Sequence, residues 1–196
     1  MGLYSIMLFL HVSSAICLFV GMGIWLFGIT AIARATRVEQ VRTIADLMLM
    51  ARLVVPVSAF LVIIAGLTMA LTAWGLQTSW IVVALGGLIF IGPIGTWLID
   101  PKVRTLGALA HTLPDGPVPS TLAARTQDGV LRIALHTTTA LLFGIIFLMT
   151  TKPLLTSAIG AMLIAACLGV ASALPFVRAR GADASERSNQ HEGDSA

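Results

Sequence analysis

Charge is what this sequence has least of. Only 11% of its 196 residues are Asp, Glu, Lys or Arg, while 57% are hydrophobic. A soluble domain carries about 25% charged and 45–50% apolar residues. A chain this short cannot hide so much apolar surface from water, which excludes a cytosolic globular protein. A disordered chain, which needs low hydrophobicity and high charge, is excluded by the same figures. Cysteine is nearly absent: Cys17 and Cys167 give no metal-binding spacing and no support for a disulfide, and each reads as a small hydrophobe. No P-loop, Gly-rich dinucleotide turn, HExxH or GxSxG element stands in a suitable setting, so no complete catalytic set is legible. No Lys or Arg precedes Arg34, so the first apolar stretch lacks the basic n-region of a secretory signal and reads as a retained span. The short alternating segments of a membrane β-barrel are missing too.

What remains are long charge-free tracts at 1–33, 53–99, 133–151 and 153–177. A helix needs roughly 20 apolar residues to cross a ~30 Å hydrocarbon core. The second tract holds two crossings, divided at Gly75-Leu76-Gln77-Thr78-Ser79, a turn-like composition. The prediction is an all-α, multi-pass transmembrane bundle over 1–177, with five spans at about 3–29, 53–74, 79–99, 132–151 and 154–177. Tyr4, Trp25, Trp74, Trp80 and Trp97 fall near these ends, where ring-and-polar-handle side chains prefer the headgroup level. Pro56 and Pro93 are expected to kink their helices.

Five spans place the first loop, the third loop and the C-terminal segment on one side of the membrane. That side holds Arg34, Arg37, Arg42, Arg52, Lys102, Arg104, Arg125, Arg132, Arg178, Arg180 and Arg187, and the other only Lys152. The positive-inside bias puts the N-terminus outside and the C-terminus in the cytoplasm. The pI of about 9.4 then reflects topology and requires no nucleic-acid partner. Residues 178–196, polar and without apolar periodicity, predict a disordered cytoplasmic tail with His191 solvated in it. The third loop, 100–131, begins with Asp100-Pro101 ending a helix, carries a turn-rich Pro114–Pro119 stretch, and places His111 at the surface. Glu39, Arg42, Asp46 and Arg52 among apolar residues predict an interfacial helix leading into the second span.

Small residues mark packing faces. Ser157, Ala161, Ala165, Gly169 and Ala173 recur every four residues on the fifth span, the small-xxx-small pattern that lets helix backbones approach in lipid. This stripe serves either packing within the bundle or a homodimer or partner-subunit contact. Ser13, Cys17 and Gly21 form a shorter stripe on the first span.

The ionisable residues at membrane depth carry the functional expectations. His11 lies ~12 Å inside the outer edge at 1.5 Å per residue, with Met7 one turn before it. Three readings stay open: a buried histidine bonded across helices, a haem or metal ligand, and a proton relay. Asp128, Arg132 and His136 follow at four-residue spacing, so Asp128 can pair with Arg132 on a polar face at the membrane edge. His136 sits ~6 Å below the cytoplasmic edge, leaving ~12 Å of depth between the two histidines in a ~30 Å core. One haem b held by both is disfavoured. One-histidine haem ligation, or a copper site using Met7 and His11 with thioether and imidazole donors, fits the geometry.

Leu10-His11, Gly21-Met22-Gly23 with Trp25, and above all Leu148-Met149-Thr150-Thr151-Lys152-Pro153 resemble a bacterial family of small predicted integral membrane proteins, domain of unknown function 2269. The resemblance covers about residues 3–153 and implies a four-helix core to which the fifth span is added. More distantly, an N-terminal His followed by a Gly/Trp cluster is similar to the copper-resistance D membrane proteins and to the haem-binding HemJ proteins. That similarity implies a ligand-like role for His11. Two function classes follow: a non-enzymatic accessory, partner-binding or transport component, and a haem- or copper-linked redox protein using His11, with Met7 and His136 as further cofactor-binding candidates.

Overall fold

A computed structural model describes the backbone of residues 2–193 and the side chains of residues 2–175. The described residues form seven helices and no strand: α1 (Leu3–Ile32), α2 (Val38–Met69), α3 (Ser79–Pro93), α4 (Asp100–Thr112), α5 (Ser120–Thr126), α6 (Gly129–Thr151) and α7 (Leu155–Gly193). Two stretches of wider π-helical turns, Ala70–Trp74 after α2 and Ile94–Ile99 between α3 and α4, keep the rod continuous. Five helical rods are long and apolar enough to cross a membrane, and the apolar stretches recognised from the charge-free tracts each form one of them.

The rods extend beyond the bilayer on the charged side. Val38–Trp74 is 37 residues long, about 55 Å at 1.5 Å per residue, nearly twice the hydrocarbon thickness. Its polar N-terminal half packs against α4: a Cβ on Gly107 would stand 3.0 Å from Leu49, and Ala45, Met48, Leu106 and Ala110 are buried there. Two expectations change. The first loop is a helical continuation of the second span rather than a separate helix lying in the interface. Asp100-Pro101 does not end the third rod: the wider turns of Ile94–Ile99 lead directly into α4, and Pro101 stands in its first turn. Only the turn-rich Pro114–Pro119 stretch is a loop, pinned by Val38 N–H on the Gly116 carbonyl at 2.8 Å.

Ion pairs tie this extension together: Arg52–Asp100 at 2.6 Å, Arg42–Asp115 at 2.9 Å, His111–Asp46 at 2.7 Å, and Lys102–Asp128. Exposed pairs of this kind contribute about 0–1 kcal/mol each, so they fix register more than they add stability. Asp128 has a second role as N-cap of α6, accepting from Val130 N–H at 2.9 Å and Leu131 N–H at 3.1 Å. Asp128→Ala is expected to destabilise by ~1–2 kcal/mol, losing cap and ion pair together. Asp128→Asn keeps the capping oxygen, so thermal melts should rank wild type, Asn, Ala; equal Asn and Ala values would leave the cap without effect.

Helices α1 and α2 pack closely because α1 is small where α2 is large. A Cβ on Gly21 would stand 2.6 Å from Val55 Cγ2, and one on Gly28 2.6 Å from Met48 Cγ. Trp25 lies between them, 2% exposed, its indole N–H donating to the Met48 carbonyl at 2.9 Å. It is a core residue with a satisfied polar handle, not a headgroup anchor. Trp80 is likewise buried, whereas Tyr4, Trp74 and Trp97 are exposed.

The small-residue stripe of α7 faces α6. Ala165, Gly169 and Ala173 are buried, Ala161 is half-buried and Ser157 is exposed. The Met162 side chain fits between Gly87 of α3 and Gly144 of α6, keying the fifth span into the bundle. Helix α7 continues past Arg178 through the segment whose composition predicts an unstructured tail; Asp194–Ala196, and the His191 side chain, lie outside the described residues.

Candidate ligand-binding cleft

The imidazole of His11 does not face lipid. On α2, opposite it, stands Gly66; a Cβ there would lie 2.9 Å from His11 Cε1 and 3.1 Å from Nδ1. The missing side chain lets the ring lie against the α2 backbone, where Nδ1 donates to the Val62 carbonyl at 2.9 Å. A carbonyl only accepts, so the proton belongs on Nδ1. In the neutral ring Nε2 then carries the lone pair, and it has no hydrogen-bond partner among the described residues. A backbone carbonyl on one nitrogen with the other left open is how ligand-binding histidines are oriented.

Two cavities meet at this ring. The outer one, nearer the end of the bundle that carries the N-terminus, has about 290 Å³, lies between α1, α2, α3 and α6, and is bordered by Tyr4, His11, Trp74, Trp80, Met149 and Lys152. The larger, of about 1140 Å³, is an apolar groove between α1 and α6, reaching along α1 from His11 to Ala31. Phe19 and Phe143 meet edge to face across it, ring centres 5.0 Å apart. A third cavity, of about 340 Å³, opens toward the Arg52–Asp100 pair, and Leu88 borders all three.

Lys152 closes the outer cavity. It caps α6 in the left-handed region, φ 50° and ψ 53°, the only non-glycine residue with positive φ among those described. An L-residue there costs roughly 1–2 kcal/mol, and such strain gathers at functional positions. The following Pro153 cannot continue α6, so the chain turns at Lys152 and the ammonium settles 4.1 Å above the Trp74 ring, a cation–π contact. Trp80 stands edge-on to Trp74 at 5.7 Å.

The expected site residues therefore separate. His11 lies at the centre of the cleft. Met7 borders none of these cavities; the thioethers on the two that meet at His11 are Met149 of α6, which borders both as His11 does, and Met69 of α2, which borders the outer one. His136 borders none of them either. Its Nδ1 lies 2.9 Å from Ser172 Oγ, whose own proton goes to the Gly169 carbonyl at 2.8 Å, so the imidazole donates and pins α6 to α7. The Asp128 carboxylate and the His136 imidazole have separate partners. As N-cap, Asp128 turns its carboxylate to its own helix start and to Lys102, and Arg132 is 5% exposed. Among the described residues no three His, Cys, Asp or Glu side chains come together as a metal cage.

Sequence reasoning missed Val62, Gly66, Met149 and Lys152 as site residues. For Lys152 a signal existed, since it is the one basic residue on its side of the membrane. For Val62 and Gly66 there was none, because a backbone acceptor and an absent side chain leave no chemical mark.

Residues 5–153 match the model of a family described as predicted integral membrane protein, DUF2269. The match ends two residues before α7 begins and takes in the cleft residues from Leu8 to Lys152, leaving out only Tyr4. No curated protein and no solved structure matches the chain. By that match over most of its length, the chain belongs to the DUF2269 family of predicted integral membrane proteins.

Proposed function

We propose that this protein is a non-enzymatic ligand-binding component of the bacterial cytoplasmic membrane, an accessory or transport protein that holds a small molecule between α1, α2, α3 and α6. Its N-terminus faces outward, in keeping with eleven basic residues on one side and Lys152 alone on the other. The observation that carries this reading is the His11 ring, fixed on the Val62 carbonyl with its second nitrogen unpaired where two cavities meet. A polar group at membrane depth is costly unless it serves a partner or a cavity. Leu88, bordering cavities toward both membrane faces, favours transport within this class.

A second reading, a haem- or copper-linked redox protein, draws on the same imidazole with Met149 beside it, a histidine–thioether pair of the kind that holds haem iron or copper. Both residues border the same two cavities, whereas His136 is tied to α7. An absorption spectrum of protein purified in mild detergent tests both readings. The primary reading expects a colourless preparation whose thermal stability rises with added membrane extract in wild type and not in His11→Ala. A Soret band lost in His11→Ala would establish the second reading instead.

A further inference from the structure

Resting on the reading that this cleft holds a ligand, the geometry points to its chemical class: we propose a polyprenyl-phosphate-type lipid, with an anionic head in the outer cavity and a tail longer than one leaflet in the groove. The head is set by charge. Lys152 is the only ionised side chain bordering the outer cavity, and among the described residues no carboxylate lies on that side of the bundle. A single fixed cation, an imidazole beside it, and the indole and phenol groups of Trp74, Trp80 and Tyr4 suit a compact anion with several acceptor oxygens. A zwitterionic headgroup would bring a second cation against Lys152.

The tail is set by length. The groove borders α1 from His11, ~12 Å inside the membrane edge, to Ala31, twenty residues or about 30 Å at 1.5 Å per residue, so it covers the remaining ~18 Å of a ~30 Å core and runs past its far edge. An ordinary phospholipid chain anchored at the outer cavity fills one leaflet, about half of the core, and ends close to where the groove begins. The groove is also continuous with the head cavity: His11, Val12, Val62, Leu88 and Met149 border both. Its lower half is bordered by Gly23, where an added side chain meets nothing within 4 Å. A bulky residue there obstructs the groove without disturbing the bundle.

Native mass spectrometry of the full-length protein in detergent, titrated with four named lipids, separates head from tail. The lipids are undecaprenyl phosphate, neutral undecaprenol, farnesyl phosphate and phosphatidylglycerol. Undecaprenyl phosphate is expected to bind at least ten-fold more tightly than each of the others. Lys152→Gln should reduce its lead over undecaprenol to less than two-fold, and Lys152→Arg should restore it. Gly23→Phe should remove the lead over farnesyl phosphate while leaving farnesyl phosphate binding unchanged. Equal binding of undecaprenyl phosphate and phosphatidylglycerol, or a Gly23→Phe protein that still prefers the long tail, would overturn the proposal. If His11→Ala loses a different co-purified molecule while all four lipids bind weakly, the lipid class is wrong and the ligand-binding cleft stands.

Discussion

Gly169→Leu is expected to unseat the fifth span. A Cβ at this position would lie 2.5 Å from Thr137 Cα, 3.0 Å from Ala140 Cβ and 3.1 Å from the His136 carbonyl. The first is backbone, so no rotamer change relieves it, and α7 must move away from α6. Overpacking of this kind costs about 1–3 kcal/mol, and here the movement also stretches the His136–Ser172 hydrogen bond. At 2–4 °C per kcal/mol for a chain of this size, the melting temperature in detergent should fall by roughly 2–12 °C. Gly160, on the same helix, has open space where its Cβ would be, so Gly160→Leu should shift the melt by less than about 2 °C, as surface changes do. Equal shifts for the two variants would mean that α7 is not held by this face.

Gly66→Ala is expected to weaken ligand binding about five- to 150-fold with little effect on folding. The new methyl would stand 2.9 Å from His11 Cε1, but what it meets is the end of a side chain that can swing aside. The ring then leaves the Val62 carbonyl, Nε2 turns away from the cleft, and the ligand loses its positioned imidazole. Losing one hydrogen bond or ligand of this type is worth about 1–3 kcal/mol, a five- to 150-fold loss of affinity. The melting temperature of the unliganded protein should stay within about 3 °C of wild type. His11→Ala should lose as much affinity, and Gly66→Ala combined with His11→Ala no more than either alone, because both act through one ring. Additive losses would show that Gly66 serves the cleft in some way other than by seating His11.

The spans were legible because lipid excludes charge: where Asp, Glu, Lys and Arg are missing for twenty residues, only a helix satisfies the backbone. The same rule could not show how far a helix continues once it leaves lipid. Asp100-Pro101 and the charges that follow read as a loop, yet Val103, Leu106 and Ala110 pack onto α2 and carry the third rod on through α4. Trp25 read as an interfacial ring because an indole at a span end usually faces headgroups; a partner carbonyl on Met48, 23 residues away, buries it instead. His11 stood out as a lone polar residue at membrane depth, but its thioether neighbour did not. Spacing along one helix offered Met7, whereas the thioether that borders both cavities with His11 is Met149, from α6. Depth arithmetic separated His11 from His136, and the bundle does the same by turning one toward α2 and the other toward α7.

The most direct test of a ligand cleft built on His11 is to identify what the purified protein carries. Wild type and His11→Ala, prepared side by side in the same mild detergent and matched for helical content by circular dichroism, are denatured in organic solvent, and the released small molecules are quantified by mass spectrometry. The expected result is one molecule released from wild type at near one per chain and depleted at least five-fold from His11→Ala. Identical extracts from the two proteins would contradict it.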